Sequence, residues 1–386
     1  MHNYTAKEKV KILSLFDNLM ELCSDDLNTF FYVDTISSMQ TKMRIFSYYI
    51  ASYSEWLKPD ALECRGIMFE LNENDVPVRI ACRTPKKFFN YLENPFTTGI
   101  KDDQVGLAFK KEDGSLISTY LDKGELFLKS KGSLFSQQVL DAQKWLYDPR
   151  RKPLLECLKW YAENDITINM EWVSPDNRVV LTYDEPRLII INARNNVTGE
   201  YSNLESLVED QVINQYMVDN HPFDTIENLV NEVKELKDEE GYVVYDSTGT
   251  EPVFKIKCPW YVHLHSIKSS VSSDKNLWEA VAEGVSDDIK ALFESDKASL
   301  DRIAKFEDCY KKQFSHIYKM CIDVYNLLQG NSRKDYALES QALLNEKGYP
   351  QLFNIVMRLY LNGPDESIID LIKDHLVKFI EIYLEV

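Results

Sequence analysis

The chain has 386 residues, 44% hydrophobic and 27% charged, the make-up of an ordinary globular protein with room for two or three cores. Its formal net charge of −18 excludes a sequence-indifferent coat for nucleic acid, which needs a basic surface. The longest purely aliphatic stretch, Leu188 to Ile191, is far too short to span a bilayer, so no membrane partner is expected.

The start, Met1-His2-Asn3-Tyr4, lacks the basic-then-apolar plan of a signal peptide. Seven scattered cysteines without a C-x-x-C pair point to a reducing cytosol and away from a zinc site. His263 and His265 alternate as a strand would, and the histidines show no metal-ligand spacing. A cytoplasmic monomer is the expectation.

Helical spacing of Val10, Leu13, Phe16, Leu19, Met20 and Cys23 predicts a helix over Tyr4 to Cys23. From about Phe30 to Lys131 the pattern is mostly β. Arg44 to Tyr49 is rich in strand formers. Gly66 to Leu71 and Val76 to Cys82 read as a hairpin, with Pro77 placing the return strand at an edge. Gly106 to Lys110 enters Lys111-Glu112-Asp113-Gly114 and Ser115 to Leu121 leaves it, as parts of a second hairpin. Leu126 to Lys129 returns across the turn at Asp122 to Glu125, into Ser130-Lys131-Gly132-Ser133.

Helices are expected over Phe135 to Tyr147 and Pro153 to Asn164, then strands over Ile166 to Val173, Val179 to Tyr183 and Arg187 to Ala193. Helices follow over Asn203 to Tyr216 and Ile226 to Leu236, and a hairpin pairs Gly241 to Tyr245 with Val253 to Lys257. After about Ile267 no strand pattern remains. Ile303, Phe306, Tyr310, Phe314, Ile317, Cys321, Val324 and Leu328 mark one long helix. The predicted architecture is α+β: an antiparallel-sheet domain over residues 1–266, then an all-helical domain over 267–386. That second part carries 15 Lys+Arg against 20 Asp+Glu, so it too is acidic.

The chemistry centres on Lys111-Glu112-Asp113-Gly114. It fits Lys-x-Asp-Gly, a pattern in which a lysine amine attacks the α-phosphate of a nucleotide; the bland alternative is a charged turn. A free lysine amine has a pKa near about 10.4, so neighbouring cations or a metal must activate it. On a strand, Ile168, Met170 and Trp172 share one face, leaving Glu171 on the other. In a pocket Glu171 would need a ribose hydroxyl, a lysine or a metal; otherwise it faces water. Glu240 ends the acidic run Asp238-Glu239-Glu240 and would hold a metal or orient Lys111, unless the run is only a solvated loop. Lys255 and Lys257 project together and suit a nucleotide phosphate, or else a solvated strand face. Mg²⁺ is the metal such chemistry wants. Asp287 and Asp288 read first as a helix N-terminal cap, with a second ion site as the alternative. Arg65, Lys86, Lys87, Lys110, Lys129 and Lys131 crowd around the same strings, so a basic cleft is expected in an acidic body.

Taken in order, these strings resemble the covalent nucleotidyltransferases, namely ATP-dependent ligases and capping enzymes. The chain is most similar to the RNA ligases of T-even bacteriophages that reseal broken tRNA. That likeness runs through Phe46-Ser47-Tyr48, Leu62 to Glu70, Lys87 to Asn90, Glu93 to Phe96, Lys255 to Lys257, Trp260-Tyr261 and Ser286 to Asp288.

The resemblance implies that Lys111 becomes adenylylated by ATP, that Glu171 serves the ribose or metal, and that Glu240 serves the metal. It implies that Lys255 and Lys257 hold the α-phosphate, and that Tyr48, Arg65, Lys87 and Lys131 grip the β- and γ-phosphates. It further implies RNA ends bearing 5′-phosphate and 3′-hydroxyl as substrates, tRNA recognition by the helical domain, and the host cytosol if the chain is phage-encoded. Where many ligases stack an aromatic on adenine, Leu188 to Ile191 is aliphatic. A DNA ligase or capping enzyme would normally follow the Lys-x-Lys strand with a small β-barrel. A non-catalytic RNA-binding protein of the same fold is the remaining alternative.

Overall fold

The computed structural model describes residues 4–24, 29–177, 181, 183–237, 239–262, 273–284, 286–292, 297–364 and 367–384. His263 and His265, and most of the strand expected over Val179 to Tyr183, lie outside these residues.

The first helix, Ala6–Leu22, starts where Thr5 and Glu8 form a reciprocal capping box. Its buried face is Ile12, Leu15, Phe16, Leu19 and Leu22, not the stripe expected, since Val10 and Leu13 are exposed. A helix is amphipathic around more than one apolar line, and only the sheet beneath decides which line is buried. That sheet comprises β1 (Phe30–Ile36), β2 (Lys42–Tyr48), β3 (Ile67–Leu71) and β4 (Pro77–Cys82), antiparallel in sequential order. Pro77 lies on the edge strand, where a missing N–H breaks no ladder.

Next along the chain come β5 (Phe89–Asn90), β6 (Val105–Lys110), β7 (Ser115–Asp122) and β8 (Glu125–Ser130). Then follow β9 (Ile166–Val173), β10 (Arg187–Asn195), β11 (Asn220–His221), β12 (Gly241–Asp246) and β13 (Pro252–Lys257). They form two further sheets, ordered β10-β9-β7-β8 and β11-β6-β12-β13-β5. The expected hairpin through Lys111 is thereby corrected. β7 pairs with β8 across the turn, but β6 pairs with β12 and β11 in the other sheet. The lysine motif is therefore a crossover between sheets.

Helices Gln137–Leu146 and Lys152–Glu163 cover one face of β7–β10, burying Leu146, Leu154 and Leu158 with Ile117, Ile168 and Met170. The helix expected over Asn203 to Tyr216 is two short ones, Leu204–Val208 and Gln211–Asn214. Asp210 divides them by accepting the Val212 and Ile213 N–H groups at 2.8 and 3.1 Å, which starts a new helix. Helix Ile226–Glu235 packs Leu229 and Val233 onto the third sheet.

From Asp274 onward the described residues form helices without a strand, the longest being Lys297–Leu327. All eight residues of its expected apolar stripe are buried. The fold is thus α+β, antiparallel sheets followed by helices. Tyr49, just past β2, stacks on Phe314 at 4.6 Å, and Lys311 pairs with Glu55 at 3.0 Å, so the helices rest against the first sheet's end.

Candidate active site

Lys111 is fixed by its backbone before its side chain acts. Its N–H donates to the Gly241 carbonyl at 2.8 Å, and the chain then leaves the third sheet for the second. Gly114 completes the crossover by lying against β9. A Cβ there would meet the Trp172 carbonyl at 2.2 Å, so only glycine fits. The Gly114 N–H donates to Glu171 Oε1 at 3.2 Å. Asp113, buried, accepts the Leu181 N–H at 2.7 Å and the Tyr261 hydroxyl at 2.8 Å. The Tyr183 hydroxyl accepts the Asp113 N–H at 2.9 Å and donates to Glu112 at 2.8 Å. Sequence reading missed these anchors, since partners about 70 and 148 positions away leave no local pattern.

The two carboxylates differ. Glu240 Oε1 accepts from Lys111 Nζ at 2.7 Å and from Lys257 Nζ at 3.0 Å, and the side chain is 2% exposed. Burial alone would raise its pKa, but the two ammonium groups outweigh burial and hold it below the usual value. Gly241 beside it has φ +135°, and a Cβ there would meet the Ile256 carbonyl at 2.0 Å. Glu171 is pushed up to about 7 by burial, with Glu240's charge adding to the rise and Lys111 only partly opposing it.

On β13, Phe254 and Ile256 are buried while Val253, Lys255 and Lys257 alternate on the other face. Lys255 and Lys257 border the same cavity of about 600 Å³ as Lys111, Glu171, Tyr48, Arg65, Lys87 and Lys131. The sequence thus named part of its polar lining, but not Asn192, Lys290, Glu307 or Lys311. It did not show that Ile191 enters the cavity. The β9–β10 register slips between Ile190 and Asn192, and this bulge turns Ile191 inward beside Val218, Val243 and Phe109. The Tyr245 hydroxyl donates to the Ile191 carbonyl at 3.0 Å and holds the bulge.

Tyr48 sits among cations. Lys87 Nζ lies 3.3 Å from its hydroxyl and Lys131 Nζ 4.4 Å from its ring centre. Burial would raise the phenol's pKa, yet Lys87, Lys131 and Arg65 together bring it down to about 7. Lys131 is itself lowered, by burial first and then by the charges of Arg65 and Lys87.

Arg65 follows a buried charge network that sequence reading also missed. Glu63 binds Arg83 at 2.9 Å and Arg194 at 2.8 Å. Against the upward pull of burial, these guanidinium groups bring Glu63 down to about 2. Asp287, at the start of helix Ser286–Leu292, lies 3.7 Å from Lys87 and 3.5 Å from Lys290. The helical region thereby reaches the cations around Tyr48. The side chain of Asp288 lies outside the described residues.

The α+β fold thus brings together a lysine at a sheet crossover, the carboxylates Glu171 and Glu240 and a wall of cations. Residues 63–261, just over half the chain, match the family model described as RNA ligase, and residues 268–385 match T4 RNA ligase 1, C-terminal domain. The chain belongs to this RNA ligase family.

A protein of Autographa californica nuclear polyhedrosis virus, described as a bifunctional polynucleotide kinase/RNA ligase, is 30% identical over 254 residues. The alignment covers 61% of this chain and 35% of that one. An RNA ligase of Thermovibrio ammonificans is 26% identical, covering 70% of this chain and 68% of its own. RNA ligase 1 of Bacteriophage TS2126 is 28% identical, covering 65% and 63%. The chain thus spans about a third of the viral relative and about two thirds of the other two. Among solved structures, an archaeal ATP-dependent RNA ligase is 13% identical with a TM-score of 0.48, covering 90% of this chain and 95% of that one. No helix among the described residues is long and apolar enough to cross a membrane.

Proposed function

We propose that the chain is an ATP-dependent RNA ligase that joins a 5′-phosphate to a 3′-hydroxyl through lysyl-AMP and RNA-adenylate, with broken tRNA as its substrate class. One observation carries the reading: Lys111 and Lys257, which share a single oxygen of buried Glu240, both line a cavity walled by Tyr48, Arg65, Lys87 and Lys131. A nucleophilic amine is held there among groups that bind a polyphosphate.

In the first step the Lys111 nitrogen bonds the α-phosphorus of ATP and pyrophosphate leaves. Glu240 aims the amine. Lys255 and Lys257 meet the α-phosphate, while Tyr48, Arg65, Lys87 and Lys131 take the β- and γ-phosphates and loosen them as the leaving group. AMP then passes to the RNA 5′-phosphate, and a 3′-hydroxyl displaces it. Ile191, Val218 and Val243 offer adenine an apolar surface in place of an aromatic stack.

A divalent ion suits the donor set. Among the described residues no group of three or more His, Cys, Asp or Glu forms a metal cluster, so an ion must draw most ligands from phosphate and water. Mg²⁺ prefers that arrangement. Glu171, raised to about 7, is the carboxylate with most to gain from a cation, and Glu240 would assist it. When bound, the ion supplies neutralisation of charge on the phosphate oxygens. Residues 267–386 are assigned to tRNA recognition, the chain acts as a monomer, and its place is the cytosol.

The test is incubation with labelled ATP or GTP and Mg²⁺, followed by a denaturing gel and intact mass. Label is expected from ATP, not from GTP, and none in Lys111→Ala. Sealing of single-stranded 5′-phosphate RNA in preference to nicked duplex DNA is expected. Label surviving in Lys111→Ala removes the nucleophile, and preference for nicked DNA overturns the substrate.

A further inference from the structure

Lys129 is 0% exposed, an unusual place for an ammonium group, and the steps above do not use it. Its Nζ donates to the carbonyl of Ser130 at 2.7 Å, of Gly66 at 2.8 Å and of Lys131 at 3.4 Å. These acceptors belong to two segments far apart in sequence. Gly66 follows Arg65, while Ser130 ends β8 and Lys131 follows it.

The two segments also touch directly, for a Cβ on Gly66 would meet the Lys131 carbonyl at 2.4 Å. Arg65 and Lys131 are the cations that, with Lys87, flank Tyr48. Like charges held this close repel one another, and the charges of Arg65 and Lys87 add to burial in lowering the pKa of Lys131. Something must fix the backbones that bear them.

We propose that Lys129 is a positioning residue for the anion grip. Its ammonium cross-links the Gly66 and Lys131 carbonyls, and so sets the distance between the Arg65 and Lys131 side chains in the triphosphate-binding wall. Buried carbonyls accept strongly from a cation and are costly to leave without a donor, so an apolar replacement forces both segments to rearrange. Lys129 does not touch the reacting atoms. Its loss therefore weakens the hold on the β- and γ-phosphates more than it slows transfer at saturating ATP.

The inference rests on the ligase reading, and the two fail separately. Wild-type protein that gains no AMP sinks that reading. Wild-type protein that gains AMP, beside Lys129→Met with an unchanged KM for ATP, sinks only this one. In Lys129→Met, self-adenylylation is expected to show a KM for ATP raised about tenfold or more, with kcat within about threefold. In an Arg65→Ala, Lys131→Ala background the same change should add less than about twofold, because the groups that it positions are gone. A full tenfold there overturns the assignment, as does a loss confined to kcat. Should Lys129→Met not fold, Gly66→Ala decides, since its Cβ parts the same segments without altering a charge. A raised KM supports the proposal, and a wild-type KM overturns it.

Discussion

The cleft between the sheets and the helical region spend their buried volume in opposite ways. In the helices the interior is mostly apolar, with Tyr310, Phe314, Ile317 and Cys321 on one line; buried Ser315, Ser340 and His375 interrupt it, and the buried carboxylate Glu307 pairs with Lys290 at the cavity. Behind the lining of the cleft, by contrast, Glu63, Glu240, Lys129 and Arg194 are all buried charges. Glu171 and Tyr48 are moreover held far from their ordinary pKa values. A core made for stability has no use for such arrangements. The cleft is arranged for charges that arrive with a substrate.

Substitutions that separate function from stability sharpen this contrast. The largest effect is expected for Lys111→Ala, which should lower adenylylation by about a thousandfold or more while the melting temperature stays near wild type. Glu240→Gln should cost about a hundredfold in adenylylation. It should also destabilise the fold by about 3 kcal/mol, because two ammonium groups lose their shared carboxylate; denaturant melts measure this. In the helices, Ile317→Ala should cost about 2–4 kcal/mol of stability yet leave the KM for ATP unchanged. A shifted KM would break the comparison.

Two smaller effects depend on pH. Glu171 is raised from 4.5 to about 7, so the folded state holds more protons in that window and stability falls as pH rises through it. Glu171→Gln should therefore stabilise the unliganded protein at pH 8 by up to about 3 kcal/mol while impairing adenylylation. Tyr48 is lowered to about 7, so its contribution runs the other way: present above the ordinary tyrosine pKa and lost as pH falls through about 7. The tyrosinate ultraviolet band should titrate near that pH and vanish in Tyr48→Phe. Bound triphosphate competes for the same cations and restores the phenol, so ATP should bind several-fold more weakly as pH rises past about 7. An ATP affinity indifferent to pH across that range would show that Tyr48 does not share its cations with the phosphates.

What the sequence disclosed follows the same division. Period-2 alternation placed Glu171 opposite Met170 and Trp172 on β9, and Lys255 and Lys257 opposite Phe254 and Ile256 on β13, and helical spacing found the long C-terminal helix. Alternation says which way a side chain points but not which strand lies alongside, so the separation of β6 from β7 was hidden. The Ile191 bulge was hidden for the same reason, as it arises from a slip between two strands. The Glu63–Arg83–Arg194 network joins positions up to 131 apart, and Glu63 within its string looks like any surface carboxylate.

The dipeptide Tyr48-Tyr49 at the end of β2 carries a practical consequence. Successive residues of extended chain face opposite ways, so Tyr48 enters the ring of cations while Tyr49 lies flat on Phe314. A chimera that grafts a foreign C-terminal half onto this catalytic body must bring a flat aromatic partner for Tyr49. Without that partner, the graft would disturb the immediate neighbour of Tyr48, however well both halves fold.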